Sequence, residues 1–257
     1  MTRDPRRPKV GVLALDFDGT IYQGDRPVSP ALLRLLASVK RSGVDLILVT
    51  GRSLAELKGL LDLSLFDAVV AENGALLVVG GKETDLSPPD WHAVRRKLLE
   101  RLGGGKEEVI ISLAREEEGS VKSWLDRGVE VEFNKDRMMV VPPGVDKGAG
   151  LSRAIEALAA RGKPLMCIGD GENDVAMFRI ADLRVAVRNS SDILSREADY
   201  VSKRSDGAGV SEAIRKFISV RTSGRASMKL SKRGEPPWPA PKGRDAPRSS
   251  QRRRRRC

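Results

Sequence analysis

Short apolar runs that alternate with helix-patterned stretches constrain this chain more than any other feature, because that order marks βαβ units laid around a mostly parallel sheet. The first run is Val10 to Leu15. A helix-like segment from Ser29 to Arg41 follows, with Ser29 placed to cap it, Pro30 at its first position and Leu32, Leu33, Leu36 and Val39 on one face. Val44 to Val49 is the second run, and Leu54 to Leu61 reads as the next helix. Ala68 to Ala71 and Ala75 to Val79 read as short strands around a turn at Asn73-Gly74. The same alternation resumes late in the chain. Gly148 to Ala160 reads as a helix, Leu165 to Gly169 as a buried strand, Val175 to Ile180 as a helix, Leu183 to Val187 as a strand and Val210 to Phe217 as a closing helix.

The intervening stretch has a different flavour. Trp91 to Leu102 is helical, Gly103-Gly104-Gly105 is a stop, Val109 to Leu113 is strand-like and Ser120 to Asp126 is helical. Val129 to Phe133 and Met138 to Val141 resemble a hairpin. The expected fold is α/β: a Rossmann-like, mostly parallel sheet flanked by helices, built from residues 1–80 and 147–220 and interrupted by a small α+β domain at 81–146.

Charge separates a third region from these two. The 257 residues carry a formal net charge of +11, yet residues 221–257 alone hold 13 Lys and Arg against Glu235 and Asp245, which accounts for all of it. That extension is rich in Pro, Ser, Gly and Arg and ends in Arg252 to Arg256, a composition that cannot bury a core and is expected to be disordered. Through it alone the chain has a route to nucleic acid or another acidic surface; with only Trp238 among its basic residues, base stacking is not suggested. No apolar stretch is long enough to span a membrane and no secretory leader is evident, so a cytoplasmic location is expected. Cys167, inside an apolar run, and Cys257 indicate no disulfide framework. His92 is the single histidine and reads as an ordinary helix residue, so metal or phosphate chemistry has to rest on carboxylates.

In an open parallel sheet ligands gather beyond the carboxyl ends of the strands. Three apolar runs end there in reactive groups: Asp16-Phe17-Asp18-Gly19-Thr20, Thr50-Gly51-Arg52, and Gly169-Asp170-Gly171-Glu172-Asn173-Asp174. If the loops converge, Asp16, Asp18, Asp170 and Asp174 crowd one edge, and two such charges about 4 Å apart repel by roughly 4 kcal/mol at an effective dielectric of 20. Such a cluster calls for a cation. With oxygen donors only, the fitting ion is Mg²⁺, which takes one or two carboxylates plus a substrate phosphate. Lys147 stands at a helix start, where the macrodipole opposes a cation, so it suits a phosphate that already faces the carboxylates. The backbone N–H groups of Gly51 and Gly19 are expected to complete the cradle.

These residues resemble the haloacid dehalogenase superfamily of phosphohydrolases, all four of whose motifs occur in order around Asp16, Thr50, Lys147 and Asp170. Ala71-Glu72-Asn73-Gly74-Ala75 and the position of the inserted segment are similar to the Cof-type subgroup (subfamily IIB), whose relatives include archaeal-type phosphoglycolate phosphatases and sucrose-phosphate phosphatases. The resemblance implies that Asp16 is the nucleophile and Asp18 the general acid and base, with Thr50 and Lys147 stabilising the transferring phosphoryl group. It implies Mg²⁺ held by Asp16, the Asp18 backbone carbonyl and Asp170, with Asp174 in or beside the shell, Gly51 and Asn173 near the phosphate, and 81–146 as a cap. The threonine that ion-pumping relatives carry in place of the second aspartate is absent, so the resemblance implies a phosphatase or a phosphomutase. A compact cap with Arg115, Lys122 and Asn134 as candidate contacts suggests a small phosphorylated metabolite, phosphoglycolate or a sugar phosphate; a sugar phosphomutase is the rival within enzymes.

Overall fold

A computed structural model of the chain describes residues 9–24, 26–102, 107–134 and 137–219. The basic 221–257 extension, and with it the expected polyanion contact, lies outside them. In chain order the first elements are β1 (Val12–Asp16), α1 (Pro30–Arg41), β2 (Asp45–Val49), α2 (Leu54–Leu57), β3 (Ala68–Ala71), β4 (Leu76–Val79) and β5 (Lys82–Asp85). The middle comprises α3 (Trp91–Leu102), β6 (Ile111–Ala114), α4 (Glu118–Val121), β7 (Glu130–Asn134) and β8 (Arg137–Val141). The last are α5 (Lys147–Ala157), β9 (Leu165–Gly169), α6 (Val175–Phe178), β10 (Leu183–Ala186), α7 (Asp192–Glu197), β11 (Tyr200–Val201) and α8 (Asp206–Phe217).

The large sheet runs β11-β10-β9-β1-β2-β3-β4-β5, parallel from β11 to β3 and antiparallel at its β3-β4-β5 end. β1 lies at its centre because its residues are apolar on both faces up to Asp16. Leu13 and Leu15 pack with Leu32 and Leu36 of α1 and Val210 and Ile214 of α8, whereas Val12 and Ala14 pack with Leu151 and Ala154 of α5. Double-sided burial of this kind is what parallel strands require. The strands β6, β8 and β7 form a separate antiparallel sheet over a third core that contains Trp91, Leu98 and Ile110. Trp91 is anchored there by its indole N–H, which donates to the Val109 carbonyl at 2.7 Å.

Several elements differ from expectation, each for a local reason. Pro30 does open α1, but the Ser29 side chain makes no capping bond. α2 stops at Leu57 rather than Leu61, with Lys58 extended and Gly59 at φ +89°. β5 is all exposed, Lys-Glu-Thr-Asp, and pairs with β4 across the Gly80-Gly81 turn, so a strand just past the expected 80/81 boundary hydrogen-bonds to the large sheet. Asn73-Gly74 is no simple hairpin turn: Glu72 and Asn73 both take left-handed backbone conformations, φ 48° and 57°, within a 3₁₀ turn. Among the described residues no helix is long and apolar enough to cross a membrane.

Candidate active site

The three reactive loops do converge, at the carboxyl ends of β1, β2 and β9 and the amino end of α5. Asp16 closes β1 and Lys147 is the first residue of α5, fixed by the Asp146 side chain, which accepts from the Ala149 N–H at 2.6 Å. The Lys147 ammonium donates to Asp16 Oδ1 and to Asp174 Oδ1, each at 2.6 Å, with all three side chains nearly inaccessible. The second oxygen of Asp174 accepts the backbone N–H groups of Asp170 and Gly171 at 2.8 and 2.9 Å, so Asp174 is committed on both sides. Asp170 accepts from the Thr20 hydroxyl at 3.3 Å. It also lies so close to the first loop that a β-carbon on Gly19 would sit 2.3 Å from its Oδ2, which is why a glycine stands there.

Electrostatics make this cluster incomplete by itself. Burial, then the charge of Asp174, pushes the Asp16 carboxyl well above the usual range, and Lys147 only partly opposes this. Burial would discharge Lys147, but Asp16 and Asp174 outweigh it and hold the ammonium charged. Asp16, Asp170 and Asp174 offer oxygens within 4.8 Å of one another, three buried carboxylates against one ammonium. The donors are all hard oxygens. Cys167 lies nearby, but burial and Asp174 push its thiol up, so it offers no thiolate. The residues present therefore fit a hard divalent cation.

Further buried polar groups stand around the cluster. Thr50 follows β2, is 1% exposed, and its hydroxyl accepts from the Arg52 N–H at 3.1 Å while its carbonyl accepts from the Asn73 N–H at 2.9 Å. Asn173 donates from Nδ2 to Asn73 Oδ1 at 2.9 Å, leaving Asn73 Nδ2 and Asn173 Oδ1 buried without a partner. From the smaller sheet, Asn134 Oδ1 is likewise buried without a partner, and it meets Asn173 Oδ1 above Gly171, where any β-carbon would be 2.6–2.7 Å from both. Met139 of β8 reaches Gly51, its sulfur 3.4 Å from where a β-carbon would stand. The second sheet thus forms the roof of the site.

Asp18 is placed differently. Its carboxylate stays at the rim, 40% exposed, in a two-pronged pair with Arg52: Nε to Oδ2 and Nη2 to Oδ1, both 2.7 Å. The Gly19 N–H is already spent on the Tyr22 carbonyl at 2.7 Å, so the expectation that it lines a phosphate cradle is withdrawn. Of the three candidate roof contacts only Asn134 faces the site. The Arg115 guanidinium lies 4.7 Å over the Phe133 ring, and Lys122 borders a separate cavity of about 600 Å³ beside Glu130 and Glu132. His92 pairs at the surface with Asp85.

Sequence reasoning gave no role to Arg52, Asn73 or Glu72, although all three lie inside quoted motifs. Glu72 is fully buried. Its carboxylate accepts the backbone N–H groups of Glu108, Val109 and Ile110 at 2.7, 2.7 and 3.0 Å, tying the end of β3 to the segment that enters the smaller sheet.

Comparison with known proteins agrees with this architecture. The sequence profile of the haloacid dehalogenase-like hydrolases matches residues 13–92 and 105–214. "Phosphoglycolate phosphatase 2" of Saccharolobus solfataricus is 30% identical over 217 residues, 81% of this chain and 92% of that protein. A phosphoglycolate phosphatase of Methanopyrus kandleri is 31% identical over 224 residues, 79% of this chain and 95% of its own. Among solved structures, a sugar phosphatase of subclass IIB superposes with a TM-score of 0.66 at 21% identity, over 80% of this chain and 98% of the other. The chain belongs to the haloacid dehalogenase-like hydrolases and is an enzyme of their phosphatase branch.

Proposed function

We propose that this enzyme is a Mg²⁺-dependent phosphomonoester hydrolase that works through an aspartyl-phosphate on Asp16, and that its substrate is a small phosphorylated metabolite, phosphoglycolate or a sugar phosphate. The observation that carries the reading is the Lys147 ammonium shared between Asp16 and Asp174 beside Asp170, because it fixes a buried carboxylate in a field that only an anion and a cation together complete.

In the first step an Asp16 oxygen attacks phosphorus, the bond from phosphorus to the ester oxygen breaks, and Asp18 gives a proton to the departing alkoxide. In the second, Asp18 takes a proton from water, which attacks the phosphorus of the acyl phosphate; phosphate leaves and the Asp16 carboxylate returns. Thr50, Lys147, the N–H of Gly51 and Asn73 Nδ2 stabilise the charge on the transferring oxygens, with Asn173 near the phosphate. Mg²⁺ would be held by Asp16, the Asp18 carbonyl and Asp170, and when bound it neutralises phosphoryl charge. Asp174, with both oxygens engaged, braces Lys147 and the Asp170 backbone at the edge of that shell. We infer that residues 81–146 act as the cap, whose Asn134 and Met139 side chains exclude water from the closed site.

Phosphate release from a panel of p-nitrophenyl phosphate, phosphoglycolate and sugar phosphates tests the reading, with Asp16→Asn as control. Release that requires both Mg²⁺ and Asp16 is the expected result. A folded protein that releases phosphate from none of them refutes it.

A further inference from the structure

The rim position of Asp18 poses a physical problem. A carboxylate 40% open to water has two free torsions, yet an acid that must meet a leaving oxygen tolerates little displacement: a 1 Å error can cost about 10²-fold. Arg52 removes that freedom. Its guanidinium grips both Asp18 oxygens at 2.7 Å, and it is itself held over the Phe17 and Tyr22 rings, 5.5 and 5.4 Å from their centroids. Those rings stack on each other at 4.9 Å with 11° between their planes, so the cation sits against a stacked aromatic pair. Its backbone N–H meanwhile donates to the Thr50 hydroxyl, so one residue spans the loop after β1 and the loop after β2. An ordinary surface ion pair has no such support and contributes little.

We propose that Arg52 is the positioning residue for Asp18: it grips both oxygens of the ionised carboxylate and, keeping hold of one while the other carries the proton, fixes the direction from which that proton reaches the leaving oxygen. The inference rests on the reading of Asp18 as the leaving-group acid. Only the planar fork of arginine satisfies both carboxylate oxygens; lysine, a point charge, cannot. A proton aimed badly matters in proportion to the basicity of the group that leaves. An alkoxide needs it as the bond breaks, whereas p-nitrophenolate departs without it.

The test compares kcat/KM, which reports the phosphorylation step, on p-nitrophenyl phosphate and on phosphoglycolate, or on glucose 6-phosphate where the wild type prefers it. Arg52→Ala and Arg52→Lys are measured beside Asp18→Asn, with thermal melts to confirm folding; the lysine variant serves if alanine does not fold. The expected result is a loss of about 10²-fold on the alkyl ester for both arginine variants, at least tenfold greater than on the aryl ester and in the same direction as Asp18→Asn. Equal losses on the two esters for the arginine variants, with an unequal loss for Asp18→Asn, overturn the proposal. Equal losses for Asp18→Asn itself show instead that the acid role assigned to Asp18 is what fails.

Discussion

Replacing Glu72 by alanine should destabilise the protein far more than its place beside a turn suggests. The change removes the acceptor for three backbone N–H groups, but their fates differ. Glu108 is exposed and its N–H can turn to water, whereas Val109 and Ile110 are 2% and 0% accessible and cannot. Two orphaned buried donors cost about 1–3 kcal/mol each, so the expected loss is roughly 2–6 kcal/mol. In a protein of this size that lowers Tm by roughly 5–20 °C. Alanine keeps a β-carbon, so the left-handed backbone at residue 72, φ 48°, is equally strained in both proteins and cancels. Glu72→Gln can set its one oxygen on the Val109 and Ile110 N–H groups, which share a single Glu72 oxygen, and turn its N–H₂ toward Glu108 alone, so it should lose much less than alanine. Calorimetry reads the stability, and hydrogen exchange reads the amides of Val109 and Ile110, which should lose protection first. A Tm within about 2 °C of wild type with unchanged exchange at those two amides would refute the reasoning.

Two further predictions follow from the titrating groups. Burial, then the nearby charge of Asp146, raises Glu132 to about 8 against the pull of Lys147. Its carboxyl therefore stays protonated in the fold after it has ionised in the unfolded chain, so its stabilising contribution is complete below about pH 4.5 and is lost as pH rises through about 8. Glu132→Gln should match wild type near pH 4 and exceed it by up to about 5 kcal/mol above pH 8; parallel curves of Tm against pH would contradict this. Saturating Mg²⁺ should raise Tm, by about 2.7 kcal/mol of stability at a concentration 100 times its Kd. Asp170→Asn should abolish that rise while folding normally, and an Asp170→Asn protein stabilised as much as wild type would place the cation elsewhere.

That Asp16, Asp170 and Lys147 come together was legible because each stands where an apolar pattern abruptly ends in charge. Asp16 terminates five buried residues, Asp170 follows another five, and a lysine opening a helix contradicts the macrodipole unless something nearby is negative. What pairs with what was not legible. The partners of Glu72 lie 36 to 38 residues downstream, and nothing local distinguishes it from a surface acid near a turn. Arg52 reads equally as a solvated residue until the Phe17 and Tyr22 rings and the Asp18 carboxylate are seen beside it. β5 escaped notice because Lys-Glu-Thr-Asp carries no alternation, its pairing being dictated by the Gly80-Gly81 turn and the neighbouring β4. α7 was missed because it buries a single residue, Leu194, which gives no stripe. Gly19 misled in the opposite sense, its N–H turned inward by the loop it closes.

The strand order of the large sheet also sets a timetable for biosynthesis. β1 is made first but needs β9 as its second neighbour, and Val12 pairs with Leu165. At about 5–20 residues per second the ribosome takes roughly 8–30 s to cross that interval, during which β1 can pair only with β2 and its other edge stays open. The smaller sheet, complete at Val141, can assemble within that time from its own residues. Lys147 is made shortly before β9 and Asp174 shortly after it, so the charge balance of Asp16 arrives at about the same time as the missing strand. An unfinished chain therefore carries an apolar strand edge of the kind that invites misassembly, and the stretch of synthesis between β2 and β9 is where this protein most needs protection by chaperones.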